Sequence, residues 1–381
     1  ESEIARAIDQ YYGHELSIDG ILHEIETGEI DWRSLAATSD EYSQPVVRLI
    51  DAVLTDAVKR DASDVHFEPE QNFLRIRYRI DGLLRQIRAL HKSYWPAMAV
   101  RIKVMSNMNI AETRAPQDGR ISLNISGRPV DFRVSAQPTI HGENVVLRIL
   151  DRQKGIVPLD QVGLDDAQLD QLKLMIARPE GIILVTGPTG SGKTTTLYSV
   201  LNHINEEGIN IMTLEDPVEY PMSMIRQTSV AETAKLDFAN GVRSMMRQDP
   251  DVILVGEIRD ADTAEMAFRA AMTGHQVYST LHTNSAIGAV PRLLDIGVLP
   301  DIMAGNIIGV VAQRLVRKLC PHCKKPYKPE AHETRLLGLA DDAPPPTLYR
   351  ASGCEHCEYQ GYRGRQAIME LLRMDADLDE L

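Results

Sequence analysis

Between residues 43 and 152, apolar and polar side chains mostly alternate, which is the pattern of half-buried β-strands. In FLRIRYRIDGLLRQIR (73–88), apolar residues and arginines alternate as far as Asp81-Gly82, the predicted hairpin turn. A second alternating pair of segments flanks Ser126-Gly127. Helical spacing follows Ser43, a predicted N-cap, and occurs again between the two hairpins. The pattern predicts a small α+β domain.

From about Pro158 to Val316, short continuous apolar runs alternate with helical spacing, which indicates strands buried on both faces of a parallel sheet. The run at 182–185 leads directly into GPTGSGKT, which has the G-x-x-x-x-G-K-[ST] spacing, and a helical pattern follows. Glycines there let backbone N–H groups converge on phosphates, while Lys193 reaches the β/γ oxygens and the Thr194 hydroxyl holds Mg²⁺. The predicted nucleotide-binding residues are Gly187, Pro188, Thr189, Gly190, Ser191, Gly192, Lys193, Thr194 and Thr195.

Two further apolar runs end in acidic residues. VILV (252–255) precedes Gly256 and Glu257, and we expect this strand beside the P-loop strand, with Glu257 near the γ-phosphate to orient or deprotonate water. The common motif has Asp where Gly256 stands, so another acid is needed. IMTLEDPVEY (211–220) provides Glu215. Two acids at strand ends favour a hydrolytic centre; the alternative for each is a solvated charge.

The segment TGHQVYSTLHTN (273–284) contains two histidines. His282 follows a strand-like run and suits a γ-phosphate sensor, with a hydrogen-bonding role in the core as the alternative. For His275 the two interpretations stand about equally. Four arginines nearby could cross a subunit boundary: Arg243, Arg247, Arg259 and Arg269.

The four cysteines form two C-x-x-C pairs, Cys320/Cys323 and Cys354/Cys357, with 30 residues between them. In a cytosolic chain this spacing predicts a structural zinc site, since each pair presents two thiolates to one tetrahedral ion. Two redox pairs or four plain thiols are the alternatives. His322 and His356 are rival ligands, although a site closed by four thiolates needs neither. Between the two pairs lies a polar, proline-rich stretch, DDAPPPT (341–347), which is predicted to loop out from the metal site.

Composition narrows the choice of partners. A net charge of -13 and 5% aromatic residues argue against a general nucleic-acid binder. No apolar run approaches the ~20 residues that cross a bilayer, so we expect no membrane span and interpret the chain as a cytosolic fragment lacking its true start. Twelve arginines lie between Arg75 and Arg152. Their planar forks suit an oxyanion, with a solvated sheet face as the alternative.

Several motifs carry a resemblance to a known family: GPTGSGKTTT, TLEDPVEY, RQDPDVILVGEIRD, TGHQVYSTLHTN, AQRLVRKLCPHCKKPY and GCEHCEYQGYRGR, with SDVHFEP, RYRIDG and APQDGR upstream. Over residues 43–381 they resemble the secretion ATPases of the type II secretion and type IV pilus assembly group (GspE/PilB). The resemblance implies an α/β fold with a RecA-like P-loop ATPase domain and a preceding PAS-like domain. We divide the chain into a remnant of an N-terminal helical domain (1–40), the small α+β domain (43–152), the ATPase domain (158–316), a tetracysteine zinc element (317–366) and a C-terminal helical segment (367–381).

The resemblance also implies roles for individual residues. Lys193 binds phosphate, Glu257 is the catalytic base, and Glu215 supports Mg²⁺ and water. Arg120 and Arg133 match positions that the family uses as arginine fingers. Weaker candidates are Arg77, Arg79 and Arg114. Hinge motion between the small domain and the ATPase domain, near residues 152–158, would convert the nucleotide state into rotation of a ring of subunits.

At the level of the cell, the resemblance implies a cytoplasmic homo-hexamer that uses ATP, Mg²⁺ and Zn²⁺ to power pilin or pseudopilin assembly. Its partners would be an inner-membrane platform protein and membrane-anchored secretion or pilus components, with no nucleic acid. Retraction ATPases generally lack the four cysteines, so secretion or pilus extension is favoured, and the motifs leave these two open. In the family, the N-terminal domain that is mostly missing here contacts membrane-bound partners and in some members binds cyclic di-GMP. The alternatives are a nucleic-acid-translocating RecA-like ATPase and a non-catalytic nucleotide-binding scaffold.

Overall fold

The structure, a computed structural model, describes residues 18–27, 45–151, 155–230, 236–339, 344 and 346–380. The chain separates into two compact units, Glu1–Lys154 and Gly155–Leu381. Four sequence-based expectations fall wholly or mostly outside the described residues: the N-terminal helical remnant at 1–40, of which only 18–27 are described, the N-cap at Ser43, the proline-rich stretch 341–347, and the first part of the hinge at 152–154.

The first unit is built on one antiparallel sheet. Its strands run in the order β3-β2-β1-β6-β5-β4, and each neighbouring pair is antiparallel. The elements are α1 (Ile18–Thr27), α2 (Pro45–Lys59), β1 (Asp64–Pro69), β2 (Phe73–Ile80), β3 (Leu83–His91), α3 (Trp95–Met105), β4 (Gln117–Ile125), β5 (Arg128–Thr139) and β6 (Gly142–Asp151). The predicted α+β organisation is confirmed.

The period-two pattern of the sequence sets which face of this sheet is covered. Leu74, Ile76 and Tyr78 on β2 are fully buried and belong to one apolar cluster with α2 and α3. The arginines between them are half-buried on the opposite face. At the turn, Asp81-Gly82 has φ values of 51° and 84°, as a two-residue hairpin turn with the right-handed twist of its strands requires.

The second unit contains a seven-stranded sheet, order β15-β12-β7-β11-β10-β8-β9, in which only the pair β12–β15 is antiparallel. Its elements are α4 (Asp166–Ile176), β7 (Gly181–Thr186), α5 (Lys193–Ile204), β8 (Ile211–Glu215), β9 (Arg226–Ser229), α6 (Phe238–Met245), β10 (Val252–Val255), α7 (Ala261–Met272), β11 (Gln276–Leu281), α8 (Ala289–Ile296), α9 (Pro300–Met303), β12 (Ile307–Leu319), β13 (Lys325–Tyr327), α10 (Ala331–Leu336), β14 (Leu348–Arg350), β15 (Tyr362–Arg373) and α11 (Ala376–Glu380).

Helices cover both faces of this sheet. One apolar cluster joins alternate residues of the central strands to α6, α7 and α8, and a second joins the remaining residues to α4 and α5. Strand β7 is therefore buried along its whole length. The continuous apolar runs in the sequence reflect this burial from both sides.

The strand order corrects one expectation. We expected β10 to lie directly beside the P-loop strand β7, but β11 lies between them and pairs with both. β11 forms parallel pairs on both sides: Tyr278 is level with Ile183 of β7 on one side and with Leu254 of β10 on the other. Apolar runs alone do not specify which buried strand neighbours which.

The expectation of a helical segment over residues 367–381 is wrong for most of its length. The chain as far as Arg373 forms β15, and only Ala376–Glu380 is helical. β15 pairs with β12 along a long antiparallel ladder, from Gly309 to Leu319. The backbone N–H and C=O groups on that side of β12 would otherwise form an open sheet edge. The tetracysteine element is thus an insertion between two paired strands.

Candidate functional site

Four parallel strands end at one edge of the second sheet, and the predicted site residues follow them. The P-loop follows β7, His282 follows β11, and Glu257 follows β10, while Glu215 is the last residue of β8. Ligands of open α/β sheets bind outside the carboxyl ends of the strands. The topology therefore collects these segments at the expected place.

The loop between β7 and α5 has the backbone that phosphate binding requires. Gly187, Gly190 and Gly192 have φ values of 145°, 77° and 90°, which favour glycine. The Nζ of Lys193 donates hydrogen bonds to the carbonyls of Gly187 (2.8 Å) and Pro188 (3.3 Å). Helix α5 begins at Lys193 itself, so its N-terminal N–H groups and its positive dipole end face the loop.

A buried glutamine from β12 supports this loop. The Nε2 of Gln313 donates to the backbone oxygen of Ser191 at 2.7 Å, and Gln313 is almost fully buried. A Cβ at Gly187 would lie 2.4 Å from the Gln313 carbonyl. No local pattern identifies Gln313, because it lies 122 residues from Ser191 in sequence and reaches the loop only through the pairing of β12 with β7.

Glu257 lies at the centre of a charged cluster. Its Oε1 accepts from the Nη2 of Arg259, and its Oε2 lies 3.4 Å from the Nε2 of His282. The Nη1 of Arg259 lies 3.7 Å from Asp216. Arg259, one of the four arginines that could cross a subunit boundary, thus pairs with acids of its own chain.

Lys193 is electrostatically connected to this cluster. Burial lowers the pKa of the Lys193 ammonium, and the negative charge of Glu257 acts in the opposite direction. A carboxylate that affects the pKa of Lys193 lies within electrostatic reach of the P-loop. Glu257 and His282 are therefore in contact, and Lys193 lies within the electrostatic reach of Glu257.

Glu215 faces the protein interior and not the solvent. Its Oε2 accepts a hydrogen bond from the hydroxyl of Tyr198 on α5. Its Oε1 accepts from Thr213 (2.5 Å) and Gln227 (3.4 Å). Burial raises the pKa of Glu215, and these three donors oppose the rise. The exposed acid at this strand end is the next residue, Asp216.

His275 lies away from the strand-end cluster, the name we give to the P-loop residues 187–195 together with Glu257 and His282. It precedes β11, and so lies at the amino end of that strand, at the opposite edge of the sheet from the P-loop. Its Nδ1 lies within hydrogen-bond distance of the Ala270 carbonyl (2.9 Å) and the Thr273 hydroxyl (3.1 Å) at the end of α7. A hydrogen-bonding role is the better interpretation for His275.

Of the remaining arginines near the site, Arg243 and Arg269 lie on helices, and Arg247 lies in the turn after α6. Arg243 contacts Asn240 at 3.0 Å, and Arg247 contacts the Arg243 carbonyl at 3.0 Å. Arg269 is exposed on α7. None of these contacts, within the described residues, connects the three side chains to Glu257.

The four cysteines form a compact cluster. The four Sγ atoms lie within 4.8 Å of one another, and separations of 3.9, 3.8 and 3.8 Å join Cys320 to Cys354, Cys323 to Cys357, and Cys354 to Cys357. A regular tetrahedron with Zn–S bonds of about 2.3 Å has ligand separations of about 3.8 Å. None of the cysteines is in a disulfide.

Backbone groups also favour thiolates in this cluster. The N–H groups of Cys354 (3.3 Å) and Gly361 (3.1 Å) donate to Cys357 Sγ, and that of Gly353 (3.2 Å) donates to Cys323 Sγ. The rings of His322 and His356 lie against each other, with centroids 4.2 Å apart. Because the sulfurs already form the four corners of a zinc site, the donor set fits Zn²⁺ without either histidine.

In the first unit, arginines align across the sheet. Arg120 is the register partner of Arg133, and Arg133 is the partner of Arg148. Arg148 is in turn opposite Asp64, which it contacts at 3.3 Å. We call Arg120, Arg133 and Arg148 the arginine row. No local pattern distinguishes Arg148 from the other arginines, since only the strand register places it beside Arg133.

Two of the weaker arginine candidates already have acidic partners. Arg77 contacts Glu68 at 2.5 Å, and Arg79 contacts Asp64 at 3.5 Å. These pairs fit the interpretation of a solvated sheet face better than an oxyanion site. Arg148 also contacts Asp64, but its side chain is 61% exposed, against 29% for Arg77 and 36% for Arg79, so it remains accessible to a ligand. Arg114 lies exposed in the segment before β4.

None of the helices among the described residues is both long enough and apolar enough to cross a bilayer.

Comparison with known proteins shows extensive similarity. The family described as "Type II/IV secretion system protein" matches residues 39–381. The type II secretion system protein E of Pseudomonas aeruginosa is 47% identical over 389 residues, covering 100% of this chain and 77% of the relative. The type II secretion system ATPase E of Vibrio cholerae is 49% identical over 341 residues, covering 90% of this chain and 68% of the relative.

A solved structure supports the same grouping. The pilus retraction motor PilT with bound ADP is 28% identical and superposes with a TM-score of 0.61. The match covers 86% of this chain and 84% of PilT.

Proposed function

The chain belongs to the type II/IV secretion system protein family, whose members are ATP-hydrolysing motors, and on this premise we propose that its ATP hydrolysis powers pseudopilin assembly in a type II secretion system. The observation that carries this proposal is the similarity to type II secretion proteins along the whole chain. Four relatives that match over 98% or more of the chain at 46–47% identity are all named type II secretion system protein E.

Within the site, we propose a role for each residue of the strand-end cluster. Lys193 and the loop 187–195 bind the triphosphate, and Glu257 accepts a proton from the attacking water. His282, which contacts Glu257, senses the γ-phosphate. Thr194, exposed at the second position of α5, holds Mg²⁺ together with the phosphates. Mg²⁺ neutralises the phosphate charge when bound.

We propose an indirect role for Glu215. Its two oxygens are occupied by interior donors, one of them on the helix that begins at Lys193. It therefore fixes α5 relative to β8 and supports the P-loop. Zn²⁺ at the four cysteines closes the insertion between β12 and β15 and has no part in the chemistry.

The arginine row is proposed as the source of arginine fingers. Arg120 is exposed, and no carboxylate among the described residues pairs with it. Arg133 and Arg148 lie in the same row. Contacts of this row with the nucleotide of a neighbouring copy, in a hexameric ring, would stabilise transition-state charge and raise the rate by roughly 10³ to 10⁵.

We propose that the protein acts in the cytoplasm at the inner membrane, with a platform protein and membrane-anchored secretion components as its partners. The test is deletion of its gene in the source organism. Type II substrates should then accumulate inside the cell while pilus extension continues. Wild-type protein should restore secretion and the Glu257→Gln protein should not. Loss of pili with normal secretion would contradict the proposal and favour pilus extension.

A further inference from the structure

The end of β10 has an arrangement that the proposed roles do not use. Strands β8 and β10 are parallel neighbours with Leu214 level with Val255. Two residues further along each strand stand two carboxylates, Asp216 and Glu257. Arg259 lies between them and contacts both.

The contacts on Glu257 are divided between its two oxygens. Oε1 accepts from Arg259, and Oε2 lies 3.4 Å from His282. A glutamate side chain has three rotatable bonds, so one contact leaves the carboxylate free to turn, whereas a contact on each oxygen fixes its plane. The side chain of Glu257 is 17% exposed, compared with 59% for Arg259. The base is thus held from the solvent side.

The charges favour the same arrangement. The hydrogen bond to Glu257, together with the negative charges of Glu257, Asp216 and Asp260, raises the pKa of the Arg259 guanidinium. Without Arg259, two like charges would face each other at adjacent strand ends and repel. The fork of one guanidinium reaches both carboxylates, which the single ammonium of a lysine does less well.

From this geometry we propose that Arg259 is a positioning residue for ATP hydrolysis: anchored on Asp216, it holds Glu257 Oε1 so that the carboxylate has one orientation towards the attacking water. The inference rests on the proposed function of Glu257 as the base. Arg259 acts on the reaction through Glu257 and makes no contact with the nucleotide. Its removal should therefore change kcat and leave KM nearly unchanged.

The experiment measures steady-state ATP hydrolysis by the full chain carrying Arg259→Gln or Arg259→Lys. We expect kcat to fall about 10- to 100-fold in Arg259→Gln, the size of a misplaced catalytic group, with KM for ATP changed less than about twofold. Arg259→Lys should recover part of kcat. The matched control is Arg269→Gln, an exposed arginine on α7, which should keep wild-type kcat and KM.

A double-mutant cycle tests the anchor. Asp216→Asn should lower kcat in the same direction, and it should add little in the Arg259→Gln background, because Asp216 acts through Arg259. Multiplied effects would overturn the anchoring. Wild-type kcat in Arg259→Gln, or equal changes in kcat and KM, would overturn the positioning role. Glu257→Gln separates the two claims: if it retains turnover, the base assignment fails, whatever Arg259 does.

Discussion

At the scale of the residue, the buried carboxylate of Glu215 depends on its hydrogen bonds. Taking a carboxylate out of water is costly unless donors replace the water. Tyr198 provides one donor, and its ring is itself fully buried. Removal of that hydroxyl leaves the carboxylate short of a partner in a place that water does not easily reach.

Tyr198→Phe should therefore destabilise the protein by about 2 kcal/mol, the usual contribution of a hydrogen bond to a charged group. The measurement is the urea midpoint of unfolding. Tyr349→Phe is the control, because Tyr349 is 46% exposed and the ammonium of Lys324 lies over its ring. Equal midpoints for the two variants would contradict the role given to Tyr198.

The cysteine cluster gives a second prediction at this scale. Purified protein should contain about one zinc per chain, since four thiolates complete a structural site. Cys357→Ser should lose the metal because one corner of the tetrahedron is removed. His356→Ala should keep it, since the sulfurs form the site without the histidine. Elemental analysis of the three proteins decides the matter, and zinc loss in His356→Ala would contradict a four-cysteine site.

At the scale of the element, β12 is packed closely on both sides. A Cβ at Gly309 would lie 2.6 Å from the Leu372 carbonyl on β15 and 2.4 Å from the Met175 side chain on α4. Gly309→Ala should thus destabilise the protein by about 1–3 kcal/mol through overpacking. Gly208→Ala is the matched control, because no heavy atom lies within 4 Å of its Cβ position. Thermal unfolding compares the two variants, and equal stability would show that β15 does not pack as described.

Elements differ in how far the sequence specifies them. The hairpins of the first unit and the strand–loop–helix at residues 182–204 follow from local patterns, because each signal lies within one segment. β15 was missed, since its alternation from Tyr362 is interrupted by Gly364 and its partner lies some fifty residues away on β12. The order of β7, β11 and β10 is likewise a property of packing between segments.

The same distinction applies to the candidate site. Lys193, Glu257 and the four cysteines stand in motifs, so the sequence identifies them. Gln313 and the partnership of Arg259 with Asp216 arise only when separate strand ends meet. Glu215 is in a motif, but its direction depends on Tyr198, which no local pattern connects to it.

At the scale of the whole molecule, the proposed site combines Glu257 of one copy with Arg133 of a neighbouring copy. Both residues are therefore needed for hydrolysis, although they come from different copies. Arg133→Gln should lower the ATPase rate by at least about 10³-fold if Arg133 acts as a finger, with ATP binding retained. Arg75→Gln is the control on the same sheet face, because Arg75 contacts Glu70. The measurement is ATPase activity and nucleotide affinity for each protein.

A mixture then tests whether the site spans two copies. Arg133→Gln protein and Glu257→Gln protein should each be nearly inactive alone. Mixed rings would contain some sites with an intact arginine from one copy and an intact glutamate from the next, so mixing should restore part of the activity. No recovery on mixing would contradict a shared site, provided that the two proteins exchange subunits.

The most direct test of the account is the Glu257→Gln variant, measured for ATP binding and for phosphate release in a single turnover. We expect ATP affinity within about threefold of wild type, because Lys193 and the loop are intact, and release slowed by about 10² to 10⁴, the usual contribution of a general base. Phosphate release at the wild-type rate would contradict the assignment of Glu257 as the base at the centre of this site.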